Sequence, residues 1–338
     1  MSKQGDNILK GNAGKAVVGL AAAAAAAYGV YLWGGPGSRR RQPVTELRRA
    51  LNLRLRYTRW SELYYAYYAR RGAGRPVVFL HSINAVASAH EMAPLVSRFK
   101  RQGNRPLYAM EWLGFGHSDR PELHYTPDLL EDQLEDWLDR IVRPEGGADV
   151  VALSLGATYA AELARRRPDL IHSLVAIEPA GLGEEPSEIG RAWEKLLFTV
   201  PGVQQAFYDR LTTPEALHDF ARDNLFSPGF AVPKEYIDYA AETARAEGAA
   251  RPLDDFLSGR LFPEDGADAF LHLRQPLLVL HGTAEGRRME SYSELPELTR
   301  NPTASVAALP TGALPHWELP DEVTDRINEF YSEIAGDS

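Results

Sequence analysis

The apolar positions fall into short, fully hydrophobic runs separated by amphipathic stretches. Pro76–Leu80 (PVVFL), Pro106–Met110, Val150–Leu153, Leu174–Ile177, Pro276–Leu280 (PLLVL) and Ser305–Leu309 read as strands buried on both faces. Leu63–Arg70, rich in tyrosine, predicts a further strand. Between them, helices are predicted at Glu91–Arg101, Pro127–Val142, Thr158–Arg167, Tyr292–Thr299 and Asp321–Ile334. Strands that alternate with helices and end in polar loops predict an α/β fold with a mostly parallel sheet. Its sites then lie at the C-terminal strand ends.

Two stretches break this rhythm. From Gly183 to Leu273 helical patterns dominate (Glu188–Phe198, Gln204–Tyr208, Pro214–Asn224, Pro233–Glu247), which predicts a helical cap inserted at about residues 183–273. Its aromatics Trp193, Phe198, Phe207, Tyr208, Phe220, Phe226, Tyr236 and Tyr239 either line an apolar pocket or form the insertion's own core. Near the start, Ala16–Trp33 carries no charge and approaches the ~20 residues that span a bilayer as a helix. Lysines precede it, Arg39–Arg41 follow, and Tyr28, Tyr31 and Trp33 cluster at one end as interfacial aromatics do. The expected organisation is a membrane anchor and Gly-rich linker at 1–37 and a main domain at 38–338. A cleaved signal peptide and a soluble Ala-rich helix are the alternatives. The arginine cluster favours a cytoplasmic main domain, although the lysines on the far side oppose it. In Thr45–Arg56, Leu47, Leu51 and Leu55 recur at helical spacing among arginines. This predicts a helix, set either against lipid headgroups or on the domain.

Composition narrows the chemistry. The 338 residues carry a formal net charge of −9, which argues against nucleic acid as a general partner. The absence of cysteine excludes disulfides, thiolate metal sites and cysteine nucleophiles. No histidine has the spacing of a metal-binding motif, so neither metal nor cofactor is expected.

The residues that suggest catalysis lie where strands end. In DVVALSLGATYAA, a strand meets Ser154, then Gly156 and Ala157, then a helix, close to the Gly-x-Ser-x-Gly nucleophile elbow with Ala152 in place of the first glycine. The turn needs small residues because strand and helix backbones pass closely there. The bland alternative is an ordinary strand–helix turn. His81 and His281 both end core strands, where they either bind substrate or hydrogen-bond a neighbouring loop; the structural role is the expectation for each.

From about Leu63 to Ile334 the chain resembles the α/β-hydrolase fold. FLHS resembles the oxyanion loop, with Ser82 in place of glycine; GFGHSDRP matches the Gly-x-Gly-x-Ser-x-x-Pro loop; ALSLG is the elbow; LVLHGTAEG resembles the acid loop; GALPHWELPDEV resembles the base loop. The resemblance implies a serine hydrolase of ester type, with Ser154 as nucleophile and the N–H groups of Ile83 and Leu155 as oxyanion donors. A serine there argues against dehalogenase-type chemistry. It further implies an acid at Glu285, the alternative being a solvated loop glutamate; Glu178, at the end of the preceding core strand, is another candidate, although a helix-start or loop charge is the expectation there. The base departs from the pattern: Ala313 stands where the histidine belongs, and His316 follows three residues later. Three extended residues span roughly 10 Å, so a reshaped loop could carry His316 to the serine. Otherwise His316 is structural and the triad is broken. The GALPHWE wording is similar to that of bacterial membrane-associated α/β-hydrolase-like proteins. Two functions follow as expectations. One is a membrane-anchored hydrolase of a fairly apolar ester or amide. The other is a catalytically impaired relative that binds or scaffolds at membrane lipid.

Overall fold

The computed structural model describes residues 47–143, 146–182, 203–263, 265–284 and 295–336. The apolar segment 16–33, Trp193, Phe198 and Glu285 lie outside the described residues. Among the described residues, no helix is long and apolar enough to cross a membrane.

Eight strands form one sheet: β1 (Arg54–Trp60), β2 (Leu63–Arg70), β3 (Val77–Leu80), β4 (Leu107–Met110), β5 (Ala148–Leu153), β6 (Ile171–Ile177), β7 (Leu277–Gly282) and β8 (Ala304–Leu309). Their order is β1-β2-β4-β3-β5-β6-β7-β8. The β1–β2 and β2–β4 pairs are antiparallel and the rest are parallel. All the strands read from apolar runs are present.

The helices are α1 (Ala93–Gln102), α2 (Pro127–Trp137), α3 (Leu155–Arg166), α4 (Val203–Leu211), α5 (Pro214–Phe220), α6 (Lys234–Thr243), α7 (Arg251–Leu257), α8 (Gly266–Leu271), α9 (Leu295–Leu298), α10 (Pro315–Glu318) and α11 (Pro320–Gly336). Successive strand residues divide between two cores, as the period of two requires. Val78, Leu80, Val150, Ala152, Leu174 and Ala176 pack with α2, α3 and Phe270 of α8. Val77, Phe79, Val151, Leu153, Val175 and Ile177 pack with α1 and α11.

The helix expected over Thr45–Arg56 is not formed. Residues 47–53 run without helix, and Arg54 onward enters β1, paired residue for residue with β2 from Arg54↔Ala69 to Trp60↔Leu63. The leucine spacing fits a helix, but seven ladder pairs with a partner strand outweigh a weak local preference. The helices read at Pro127–Val142 and Pro214–Asn224 end early, each continuing as a short π-helical segment at Leu138–Val142 and Ala221–Leu225.

The insertion between β6 and β7 is built, among its described residues, from helices α4 to α8 joined by turns and loops. It covers the C-terminal strand ends: the Tyr208 hydroxyl donates to Ala85 O at 2.9 Å, and Ala313 N donates to Leu225 O at 2.7 Å. Its aromatics serve mainly as core. Phe207, Tyr208, Phe226, Tyr236 and Tyr239 are buried and Phe220 is exposed. Phe226 stacks on Phe230, and Tyr236 meets Trp317 edge-on.

Candidate active site

β5 delivers Ser154 and α3 begins at the next residue. Ser154 sits at φ +52°, ψ −128°, in the left-handed half of backbone space that a non-glycine residue enters at a cost of about 1–3 kcal/mol. Gly156 is what lets the turn close. A Cβ there would stand 2.5 Å from His81 O, a contact no side chain could make. That same approach puts the elbow against the loop after β3, because β3 and β5 are neighbours and Leu80 pairs with Ala152. Ser154 and the 81–84 loop therefore lie side by side. Neither Ile83 N–H nor Leu155 N–H donates a hydrogen bond to another described residue. Both are left available, Leu155 at the start of a helix whose N-terminal N–H groups favour negative charge and Ile83 on the loop after β3. The Ser154 hydroxyl likewise has no hydrogen-bond partner among the described residues.

His81 is wholly buried. Its Nδ1–H donates to Ser82 O at 2.6 Å, and its Nε2 accepts from Trp112 N at 3.2 Å. These partners fix a neutral tautomer, and burial pushes the ring down to about 3. The expected structural role fits. Beside it, buried Glu111 accepts from Ala89 N at 3.1 Å, while its Oε1 has no partner. Burial raises this carboxyl to about 8, outweighing the Ala89 N–H and the Arg120 charge that pull it down, so at neutral pH it is largely protonated. Sequence reasoning passed over Glu111. The signal was available: a carboxylate directly after a buried strand, facing the GFG turn.

His316 lies on α10, wholly buried. Its Nε2–H donates to Glu91 O at 2.9 Å, and Trp317 Nε1–H donates to the same carbonyl at 2.8 Å. A carbonyl can only accept, so Nε2 carries the proton and Nδ1 is the basic nitrogen. Nδ1 has no hydrogen-bond partner. Burial holds the ring at about 4, hence neutral. The structure forms no hydrogen bond between His316 and Ser154.

Ala313, at the usual base position, is buried with its N–H tied to Leu225 O. Gly312 is wedged against Leu225 and Phe226, and a Cβ there would meet the backbone of both. Glu318 completes the knot, accepting from Gly312 N at 2.7 Å, from Ser227 N at 2.9 Å and from the Ser227 hydroxyl. Glu178, the alternative acid, takes φ +45° at the end of β6 and accepts from Gly282 N, so its carboxylate braces the β7 end. Half-buried His281 ends β7.

An open groove of about 540 Å³ lies at the other end of the sheet, lined by Arg54, Arg56, Tyr67, Ala69, Arg71, Tyr108 and Ile141. Arg71 and Tyr108 mark the edge where β4 begins, away from Ser154.

Comparison with known proteins identifies the family. The sequence profile of the alpha/beta hydrolase family fits residues 77–326. The chain is 26% identical over 247 residues to 2-(acetamidomethylene)succinate hydrolase of Mesorhizobium japonicum, covering 71% of this chain and 81% of that one. It is 28% identical over 125 residues to 2-hydroxy-6-oxo-6-(2'-aminophenyl)hexa-2,4-dienoic acid hydrolase of Metapseudomonas resinovorans, covering 36% of this chain and only 41% of that relative's length. A probable hydrolytic enzyme from Pseudomonas aeruginosa PAO1 superposes with a TM-score of 0.65 at 20% identity, over 84% of this chain and 96% of the other. That last likeness is one of fold.

Proposed function

Since the chain belongs to the alpha/beta hydrolase family, we propose that it is a serine hydrolase acting on an ester, or amide, of a small and fairly apolar molecule. The observation that carries this reading is the backbone of Ser154, held at φ +52° between a buried strand and a helix. Strain of this kind persists only where the surroundings impose it, and it gathers at functional sites. Ser154 Oγ attacks the carbonyl carbon, and the N–H groups of Ile83 and Leu155 donate hydrogen bonds to the developing oxyanion. The hydroxyl proton passes to Nδ1 of His316, the one basic nitrogen of that ring, and from there to the leaving alcohol. Water then reverses the sequence and frees the acid. Burial makes His316 a weak base, so turnover is slow. The relatives named above, both hydrolases by name, support the reaction class.

The proposal includes attachment to membrane lipid through Ala16–Trp33, with the main domain on the cytoplasmic side. Deleting residues 1–37 should move the protein from the membrane fraction to the soluble one while the domain remains folded. No nucleic acid takes part.

Two observations favour a second reading, a catalytically impaired binding or scaffolding protein: Ala313 in the base position, and the missing Ser154–His316 hydrogen bond. A fluorophosphonate probe decides. Labelling of the wild type and none of Ser154→Ala supports the hydrolase; an unlabelled wild type leaves the binding protein.

A further inference from the structure

Glu91 is wholly buried and has no ion pair among the described residues. Burying a carboxylate without a cation is costly unless hydrogen bonds replace its water. Three donors do so. Ser82 N–H binds Oε2 at 2.8 Å, the Ser82 hydroxyl binds Oε1 at 3.0 Å, and the Asn84 amide binds Oε1 at 2.9 Å. Asn84 Oδ1 in turn accepts from Val86 N at 2.8 Å. One carboxylate thus pins both neighbours of Ile83 and leaves the Ile83 N–H unspent between them. Ser82 stands where the family motif has glycine, and its hydroxyl supplies one of the three bonds.

The main chain of the same residue reaches the other half of the site. Glu91 O accepts from both His316 Nε2 and Trp317 Nε1. The loop after β3 and the segment after β8 come from distant parts of the chain, and Glu91 bonds to each. We propose that Glu91 is a positioning residue that sets the oxyanion donor through its carboxylate and orients His316 through its carbonyl. This inference rests on the hydrolase reading. In it, a backbone carbonyl does what a carboxylate does in an ordinary triad, holding the tautomer that leaves one nitrogen basic.

Glu91→Gln tests it. The amide keeps the volume but presents an NH2 group to donors that need an acceptor, so one bond of the lock must break. Losing a whole oxyanion donor costs about 10²–10³-fold in kcat, and a displaced one somewhat less. Glu91→Gln should therefore lower kcat on a short-chain activated ester by about 10–10²-fold, slow fluorophosphonate labelling equally, and leave KM within about twofold. Ser82→Ala keeps the N–H bond to Glu91 and loses the hydroxyl's bond to Glu91 Oε1 together with the one it accepts from the Asn84 amide at 2.7 Å, so it should fold normally and lower kcat less. Ser154→Ala, run alongside, separates the two levels. If it leaves activity unchanged, the hydrolase reading fails and takes the role of Glu91 with it. If it abolishes activity while Glu91→Gln and Ser82→Ala keep wild-type kcat, the positioning role alone is overturned. A loss confined to KM, or one that disappears when the variants are assayed well below their melting temperatures, would also overturn it.

Discussion

The elbow at Ser154 and the loop after β8 lie at the same edge of one sheet, yet they take their shapes from different sources. The elbow is mostly local: a buried strand, a residue at positive φ and a glycine two places on define it, and its one distant contact is Gly156 against His81 O on the adjacent strand's loop. The β8 loop is assembled from afar. Ala313 is tied to Leu225, Gly312 is wedged on Phe226, and Glu318 holds Ser227, all against the inserted helices. His316 then hydrogen-bonds Glu91 O through Nε2 and makes no hydrogen bond to the serine. A nucleophile built by its own neighbours keeps its geometry when distant parts change. A base held by long-range contacts moves with whatever it packs on.

The largest expected effect tests the local half. Ser154→Ala should abolish fluorophosphonate labelling and lower esterase activity by at least about 10³-fold, read by single-turnover kinetics. Next comes the base. His316→Ala should cost about 10²–10⁴-fold. Ala313→His should change activity by less than about tenfold, because the position is buried against Leu225 and a ring there overpacks the loop. A gain of 10² or more would show instead that the ordinary base position is the missing part and that His316 is structural.

A smaller effect concerns stability and pH. The carboxyl of Glu111 is raised to about 8 in the fold, so native protein holds a proton that the unfolded chain releases near its ordinary 4.5. Stability from this group is full below about pH 4.5 and declines as pH rises toward 8, on the order of a few kcal/mol. His316 has the opposite sign. Lowered to about 4 from 6.5, it costs stability as pH falls through that window. Urea melts at pH 6.5 and 8.5 should show the wild type weakening at the higher pH and Glu111→Gln weakening less. An identical decline in both would remove Glu111 as the cause. The smallest effect belongs to the knot between loop and cap. Ser227→Ala removes one bond to Glu318 and should cost about 1.5–3 kcal/mol, seen as a shift of the denaturation midpoint. No shift would mean that the N–H groups of Ser227 and Gly312 hold Glu318 without the hydroxyl.

Most of the architecture was legible because buried parallel strands are written as uninterrupted apolar runs, as in PVVFL and PLLVL, and because the elbow is a short-range steric pattern. β1 was not. Leu47, Leu51 and Leu55, the last of them in β1, suggest a helix, and nothing in Arg54–Trp60 announces that β2 waits to pair with it. The insertion's aromatics were assigned two roles from sequence. Only their burial distinguished core from pocket lining.

By itself the sequence determined the α/β order, the strand ends that carry polar loops, and Ser154 as the residue on the strained turn. Each follows from interactions within a few residues, and periodicity records those. What only the tertiary structure decided is where His316 points, that the Glu178 carboxylate braces β7, and that Glu91 touches both the 81–84 loop and the His316 segment. These depend on contacts between residues up to 225 positions apart, and such contacts leave no period or motif in the chain that makes them.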